Sequence, residues 1–185
     1  MPSTTQYEIK LIGRGGQGIV IGSELLAICA MKSGYQAQSM PSFGPERRGA
    51  LSTASVRISM EPVILHCSVF EPNMLVLFDK KLVNHANIGA LPEQSIVVIN
   101  DESVSPEFKN LAEDKKLNLY TINAYDIAMQ IYKTTIYSAI MFGASARALG
   151  FYFEKVSETV KEYFDDEKNL NGCERGFHEL KNVGY

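Results

Sequence analysis

The chain has only three cysteines, Cys29, Cys67 and Cys173, and each lies far from the others in sequence. An odd number of cysteines without a CxxC pair does not form the framework of a disulfide-rich secreted domain. Iron–sulfur and zinc sites usually draw on local clusters of ligands, which this spacing lacks. We therefore predict buried structural thiols and no metal site within this chain.

Strong charge and long apolar runs are also missing. The formal net charge is -3, which gives no attraction to nucleic acid or to an anionic membrane. No apolar run reaches the about 18 residues that a membrane-spanning helix requires. The segment Met1 to Gln6 lacks the basic and apolar stretches of a secretory signal. A cytoplasmic protein without a nucleic-acid partner or a membrane span is the expectation.

The hydrophobic pattern predicts one α/β domain within residues 1–185. Solid apolar runs are typical of buried parallel strands, and alternating runs indicate further strands. The predicted strands are Tyr7–Ile12, Ser52–Ser59, Met74–Phe78, Ser95–Asn100 and Leu117–Ile122, and the predicted helices are Ile19–Ser33, Lys80–Gly89, Ala124–Tyr132, Ile136–Leu149 and Glu154–Phe164. This order predicts a Rossmann-like, mostly parallel sheet with helices on both faces over about residues 7–164, followed by a polar, poorly patterned tail at 165–185.

A glycine-rich loop joins the first predicted strand to the first predicted helix. Gly13, Gly15 and Gly18 fit the pattern G-x-G-x-x-G, in which glycines permit a tight turn and a close approach to a phosphate. The free amides of the following helix attract an anion, and Arg14 adds a fork-shaped donor. A tight turn without a ligand explains the same pattern. A dinucleotide site also needs an acidic residue about 20 positions later, and the first one is Glu46, which disfavours NAD.

The second unusual segment is M-P-S-F-G-P-E-R-R-G at Met40–Gly49. It concentrates proline, glycine and charge, as functional loops do, although a solvated turn would show the same composition. The sequence G-R-G-G-Q-G opening a helix, followed by P-S-F-G-P-E-R-R-G-A and a strand of small residues, resembles the gamma subunit of 2-oxoacid:ferredoxin oxidoreductases. The resemblance is close over Tyr7 to Asp79 and looser to about Phe151, where it includes Met141-Phe142-Gly143-Ala144.

Two departures from the family pattern stand out. Tyr137 and Ser138 lie where the family often has an asparagine, and Ala50 follows Gly49 where the family often has a second glycine. Neither departure affects the expected fold. Both bear on substrate class and on subunit contacts.

The resemblance implies an enzyme that oxidatively decarboxylates a 2-oxoacid and transfers the acyl group to coenzyme A. Electrons would pass through [4Fe-4S] clusters to ferredoxin or another acceptor, and thiamine pyrophosphate with Mg would carry the carbanion chemistry. This chain has neither a thiamine signature nor cluster ligands, so other subunits are expected to bind both, and no catalytic residue is assigned here. The resemblance places this chain beside the coenzyme A site.

The expected coenzyme A contacts come from the two loops. The amides of Gly15, Gly16, Gln17 and Gly18 would face a phosphate, with further charge or hydrogen bonds from Gly13, Arg14, Ser39, Ser42, Glu46, Arg47 and Arg48. Two alternatives stay open at this point. The loops would serve assembly alone if Glu46 and Arg47 form an interface ion pair, or the chain would be a free-standing nucleotide-binding oxidoreductase.

Overall fold

The computed structural model describes residues 6–42, 49–65, 67–85 and 88–184. The strands are β1 (Gln6–Arg14), β2 (Gln36–Ser42), β3 (Leu51–Ser59), β4 (Met74–Leu77), β5 (Ile96–Asn100), β6 (Asn118–Ile122) and β7 (Lys181–Asn182). The helices are α1 (Ile19–Lys32), α2 (Pro106–Asp114), α3 (Ala124–Ile131), α4 (Ser138–Ala148), α5 (Phe153–Tyr163) and α6 (Glu167–His178).

The described strands form one sheet in the order β2-β3-β1-β4-β5-β6-β7. Its centre, from β1 through β4 and β5 to β6, is parallel. The β2–β3 hairpin extends one side by antiparallel pairing, and β7 closes the other side in the same way. The predicted α/β sheet with a parallel core is therefore confirmed, with an antiparallel hairpin added beside β1.

The central strands are buried on both faces, which explains their continuous apolar sequences. Met74, Val76 and Val98 point into a core packed under α1 and the helices from α3 to α6. Leu75, Leu77, Val97 and Ile99 point into a second core, which includes Phe108 and Ala112 of α2. The sheet thus has helices on both faces, as predicted, with most of them on one face, although α2 was not among the predicted helices.

Two predicted segments differ from the structure. Lys80–Gly89 was expected as a helix, but it contains 3-10 turns at Lys80–His85 and Ile88–Ala90. The amide of Leu82 donates to the carbonyl of Asp79 at 3.0 Å, which is the i→i+3 spacing of a 3-10 turn. Gln36–Ser42, in a segment for which no regular element was expected, is the edge strand β2. Pro41 is tolerated there because an edge strand has one unpaired side.

The polar tail folds back onto the domain as helix α6. Its buried stripe contains Gly172, Cys173, Gly176 and Phe177. A Cβ atom added to Gly143 of α4 would collide with the carbonyl oxygen of Cys173, and one added to Gly176 would collide with that of Ile140. The two helix backbones are therefore in direct contact, and glycine is required on both sides of the crossing.

We expect Gly176→Ala to lower the free energy of unfolding by about 1–3 kcal/mol, because an added methyl group must separate α4 from α6. Chemical denaturation of the full chain measures this change. Gly89→Ala is the matched control, since a Cβ atom at Gly89 meets nothing within 4 Å, and its effect should stay within about 0.5 kcal/mol. Equal stability of the two variants would contradict the close helix crossing.

Candidate functional site

The glycine loop begins at the end of β1 and closes at the first turn of α1. Gly16 and Gly18 have φ angles of 94° and 86°, a region that side chains with a Cβ atom rarely adopt. A Cβ atom on Gly13 would lie 2.8 Å from Cβ of Phe78, and one on Gly18 would lie 2.8 Å from Cβ of Ser138. The third glycine of the motif thus makes room for the start of α4.

The side chain of Gln17 holds this loop in shape. Its Oε1 accepts a hydrogen bond from the backbone amide of Arg14 at 2.8 Å. The backbone amide of Gln17 in turn donates to the Arg14 carbonyl at 3.1 Å. The carbonyl of Gln17 accepts from the amide of Tyr137 at 3.0 Å, which ties the loop to the start of α4. Gln17 is therefore a structural member of the loop as well as a candidate ligand contact.

Backbone hydrogen bonds join the glycine loop to the end of the second motif. The amide of Gly15 donates to the Ala50 carbonyl at 2.8 Å, and the amide of Gly49 donates to the Gly15 carbonyl at 3.2 Å. The guanidinium of Arg14 adds a third link, with Nη1 donating to the Gly49 carbonyl at 3.2 Å. The two motifs that the sequence singled out therefore meet at this edge of the sheet.

These bonds reduce the number of backbone amides that can donate a hydrogen bond to a phosphate. The amides of Gly15 and Gln17 already donate within the protein, so they are not free to face a ligand in the way the sequence suggested. The remaining candidates are the amides of Gly16 and Gly18 and those in the first turn of α1. Gly18 is the N-cap of that helix and provides no side-chain cap, and the first turn has no acidic residue. Both features favour an approaching anion.

Two other predicted site residues, Ser39 and Ser42, lie on β2. Ser42 is the exposed last residue of β2, whereas Ser39 shares a hydrogen bond of 2.8 Å with Ser23 and is thereby engaged with α1. Glu46, Arg47 and Arg48 lie outside the described residues.

The strand order explains why this chain lacks the acidic residue that a dinucleotide-binding fold has near its glycine loop. Helix α1 leads to β2, and β3 then occupies the place next to β1 with its first residue, Leu51, paired with Arg14. In a dinucleotide fold, a parallel strand ending in an acidic residue stands at this place. Here the strand runs in the opposite direction, so Gly49 and Ala50, which precede it, lie beside the glycine loop instead.

On the other side of β1, Asp79 follows β4 and pairs with Arg14. Nε of Arg14 lies 2.8 Å from Oδ2 of Asp79, and Oδ1 accepts from the amide of Lys81 at 2.9 Å. Burial alone would raise the pKa of Asp79, but these hydrogen bonds and the nearby positive charges outweigh it and lower the pKa below its ordinary value. Asp79 is therefore an ionised partner that holds the Arg14 guanidinium against the loop.

A cavity of about 460 Å³ opens beside the loop, at the carboxyl ends of β4, β5 and β6. Its lining includes Gln17, Asp79, Asn100, Asn123, Tyr125 and Tyr137. Sequence reasoning missed this cavity, although a signal was available. Asp79, Asn100 and Asn123 lie at or just after the ends of neighbouring strands, and the carboxyl ends of parallel strands meet at one edge of the sheet.

The described thiols differ in exposure. Cys29 and Cys173 are buried as predicted, whereas Cys67 is exposed. Burial raises the pKa of Cys29 to about 11, so this thiol stays protonated and unreactive at neutral pH. Within residues 6–42, 49–65, 67–85 and 88–184, no group of three or more His, Cys, Asp or Glu side chains is placed to hold a metal ion. No helix in these ranges is long and apolar enough to cross a membrane.

Comparison with known families covers nearly the whole chain. Residues 8–179, which include both loops and α6, match the family described as "Pyruvate ferredoxin/flavodoxin oxidoreductase". The chain belongs to this family. The family resemblance that two short motifs carried in the sequence is thereby confirmed over residues 8–179.

Relatives within the pyruvate ferredoxin/flavodoxin oxidoreductase family are of similar length. The "Pyruvate/ketoisovalerate oxidoreductases common subunit gamma" of Thermococcus kodakarensis is 36% identical over 176 residues, covering 92% of this chain and 95% of the relative. The "Pyruvate synthase subunit PorC" of Methanocaldococcus jannaschii is 33% identical over 178 residues, covering 94% and 96%. This chain is thus a gamma-type subunit of a keto-acid oxidoreductase complex, and other subunits are its partners.

Solved structures agree on the fold. The crystal structure of pyruvate oxidoreductase subunit PORC from Thermotoga maritima superposes with a TM-score of 0.80 at 29% identity, covering 97% of this chain and 99% of that one. A 2-oxoglutarate:ferredoxin oxidoreductase from Magnetococcus marinus, solved with 2-oxoglutarate, coenzyme A and succinyl-CoA, gives a TM-score of 0.74 at 17% identity. It covers 96% of this chain but 30% of that larger chain, and at this identity it shows a shared fold alone.

We expect Asp79→Asn to lower the free energy of unfolding by up to about 1 kcal/mol at pH 7, because the charged contact with Arg14 is lost. The pKa of Asp79 is lower in the folded chain than its unfolded value of about 3.9. Its stabilisation is therefore complete above the unfolded pKa and disappears as the pH falls through the folded pKa. Urea denaturation from pH 7 to pH 3 should show the wild type and the variant converging at the acid end.

Glu102→Gln is the control for this experiment. Glu102 lines the same cavity and forms no ion pair with any residue in the described part of the chain, so its replacement should leave the pH dependence unchanged. A gap between wild type and Asp79→Asn that is constant from pH 7 to pH 3 would refute the ionised pair.

Proposed function

We propose that this chain completes the coenzyme A site of a 2-oxoacid:acceptor oxidoreductase. The observation that carries the proposal is the pair of backbone hydrogen bonds between Gly15 and the Gly49–Ala50 segment. They bring the uncapped start of α1 close to Gly49 and Ala50. Arg47 and Arg48 directly precede these two residues in the sequence. Helix amides and arginines together suit a ligand with several phosphate groups.

Coenzyme A fits this arrangement better than NAD. Coenzyme A carries a pyrophosphate and a phosphate on its ribose, and arginine serves to bind a ribose phosphate where an acidic residue would bind ribose hydroxyls. The acidic residue nearest the glycine loop in the described part of the chain, Asp79, already accepts hydrogen bonds from Arg14 and Lys81 on its two oxygens. The amides of Gly16 and Gly18 would then bind the pyrophosphate, with Arg14 supplying positive charge.

The remaining chemistry is assigned to partner subunits. The complex would oxidatively decarboxylate a 2-oxoacid to an acyl-CoA and pass the electrons to ferredoxin or another acceptor. Thiamine pyrophosphate, Mg and [4Fe-4S] clusters supply carbanion and electron-transfer chemistry when bound. The described part of this chain has no group of three or more His, Cys, Asp or Glu side chains placed to hold a metal ion. We place the complex in the cytoplasm, where an exposed free thiol such as Cys67 persists.

The test uses the complex purified from the native host through a tag on this chain. We expect the complex to reduce a dye under anaerobic conditions only when both a 2-oxoacid and coenzyme A are present. Pyruvate and 2-ketoisovalerate are the first 2-oxoacids to test. Gly16→Asp should raise the KM for coenzyme A at least tenfold, because a carboxylate at the start of α1 repels phosphate. Arg47→Ala should also raise this KM.

Gly16→Asn is the matched control, since asparagine has the shape of aspartate and makes the same demand on a backbone with a φ angle of 94°. Gly16→Asn should change the KM for coenzyme A much less than Gly16→Asp does. If Gly16→Asp and Arg47→Ala assemble normally and keep the wild-type KM, the proposed coenzyme A site is wrong. If the chain is recovered alone and supports no 2-oxoacid-dependent reduction, the proposed role in a 2-oxoacid:acceptor oxidoreductase is wrong.

A second part of the proposal is a docking surface for another subunit of the complex. The segment between β3 and β4 exposes four large apolar side chains, Met60, Ile64, Leu65 and Phe70, with exposed fractions from 59% to 81%. Exposed apolar groups concentrated in one segment are typical of protein interfaces.

Arg57 fixes this segment against the sheet. Its guanidinium is buried, with Nε 2.9 Å from both carboxylate oxygens of Glu8. Its Nη1 donates to the carbonyls of Leu65 and Cys67. Because these bonds restrain the backbone, the apolar side chains are presented in an ordered conformation, which reduces the entropic cost of binding a partner.

We expect Phe70→Asp to reduce the yield of partner subunits recovered with the tagged chain at least tenfold, since burial of a carboxylate at an apolar interface is strongly unfavourable. The yield is measured by quantitative mass spectrometry of the eluate. Tyr152→Asp is the control, because Tyr152 is equally exposed, at 83% against 81% for Phe70, but lies at the start of α5. Unchanged recovery with Phe70→Asp would exclude this surface from the interface.

A further inference from the structure

The docking segment, defined as residues 60–73, carries a negative charge near each of its ends. Its two glutamates, Glu61 and Glu71, are exposed, and its sequence contains no lysine or arginine. Neither carboxylate forms an ion pair with any residue in the described part of the chain. Three of the four exposed apolar side chains lie between the two glutamates in sequence. Negative charge that is not neutralised therefore precedes and follows the apolar centre along the chain.

The sheet holds both ends of the docking segment in place. The backbone amide of Glu61 donates to Oγ of Ser59, the last residue of β3, at 3.0 Å. The backbone amide of Val69 donates to an earlier serine hydroxyl of β3 at 3.0 Å, and that of Asn73 donates to a carbonyl of β1 at 2.9 Å. Glu71 lies between these two anchored residues, so the backbone from which each carboxylate extends has a fixed position.

A second copy of this chain is a poor occupant of the same surface. In a twofold contact each surface patch meets its own counterpart, so the glutamates of one docking segment would meet a surface with the same negative charge. Like charges brought together across an interface are unfavourable. Little positive charge is available to offset them, because Arg57 is buried and already pairs with Glu8. Lys10 of the neighbouring strand β1 is only partly exposed.

A partner of opposite charge suits both carboxylates. A carboxylate without a partner inside an apolar interface loses its hydration at a large cost, whereas one that meets lysine or arginine at the rim keeps a favourable contact. Complementary charge at a rim also speeds the encounter between partners and repels those of the wrong sign. The docking segment can therefore distinguish partners by charge and hold the correct one through its apolar side chains.

We propose that the docking segment binds a partner subunit with an apolar groove, and that lysine or arginine side chains on the rim of this groove lie opposite Glu61 and Glu71. The inference rests on the docking surface proposed above and adds the chemistry of the partner. It excludes a second copy of this chain and a partner with an acidic surface.

The test adds the tagged full chain to an extract of the native host that lacks its own copy, at a series of NaCl concentrations. Quantitative mass spectrometry then measures the recovered oxidoreductase subunits. The charge-reversed variant, Glu61→Lys with Glu71→Lys, should recover about fivefold less than the wild type at about 50 mM NaCl, since attraction becomes repulsion. At about 500 mM NaCl the difference should largely disappear, because salt screens exposed charges.

Glu113→Lys with Glu174→Lys is the matched control, because it makes the same change in net charge at two exposed glutamates on α2 and α6. This variant should recover the partner subunits as the wild type does at every salt concentration. An equal loss of recovery in the control and in the charge-reversed variant would assign the effect to net charge and overturn the proposal.

The remaining outcomes separate the charge of the partner from the docking surface itself. If Phe70→Asp lowers recovery but the charge-reversed variant binds as the wild type does, or loses binding equally at low and high salt, the basic rim is overturned while the docking surface stands. If neither variant lowers recovery, the docking surface is wrong, and the basic rim is wrong with it.

Sedimentation of the purified full chain tests the remaining occupant, a second copy. A mixture of the wild type and the charge-reversed variant should show no dimer that is absent from the separate samples. A dimer that forms only in the mixture would identify a second copy as the occupant and overturn the proposal.

Discussion

The position of β1 between β3 and β4 determines the geometry of the whole carboxyl edge. This strand pairs antiparallel with β3 and parallel with β4, so the loop that follows it has the start of β3 on one side and the end of a parallel strand on the other. The hydrogen bonds from Gly15 to the Gly49–Ala50 segment and the ion pair from Arg14 to Asp79 both follow from this arrangement. A different neighbour on either side would leave the glycine loop without one of its two supports.

Local sequence patterns were sufficient for the elements whose partners are close in the chain. The apolar runs that became β4, β5 and β6 were predicted because strands buried on both faces need continuous apolar sequence. Helix α2 was missed, although Ser105 accepts from the amide of Phe108 and Pro106 follows it, which is a usual helix start. Helix α6 was missed for a different reason. Its buried stripe consists largely of glycine and cysteine, so its packing depends on contact with Gly143 rather than on a strong apolar pattern.

The candidate site was predicted only in part, for the same reason. The two motifs were singled out by their own residues, and the family resemblance linked them to one function. Their contact through Gly15 and Ala50 depends on the strand order, which no local pattern reveals. Asp79 and Tyr137 are 58 residues apart in number and reach one cavity only because β4 and α4 converge on the same edge of the sheet. Gln17 was predicted as a ligand contact, yet its part in shaping the loop requires coordinates to be seen.

The same edge of the sheet separates two electrostatic environments. At the glycine loop, the start of α1 has no side-chain cap and no acidic residue in its first turn, which favours an anion such as phosphate. On the β4 side, four carboxylates outnumber two lysines and disfavour it. A ligand with its negative charge at the glycine loop would therefore need an uncharged part wherever it enters the cavity. Because β3 runs in the reverse direction, its first residue, Leu51, lies beside Arg14 where a dinucleotide fold has the end of a parallel strand with an acidic residue. The glycine loop therefore keeps its shape but lacks the acidic partner that a ribose hydroxyl needs.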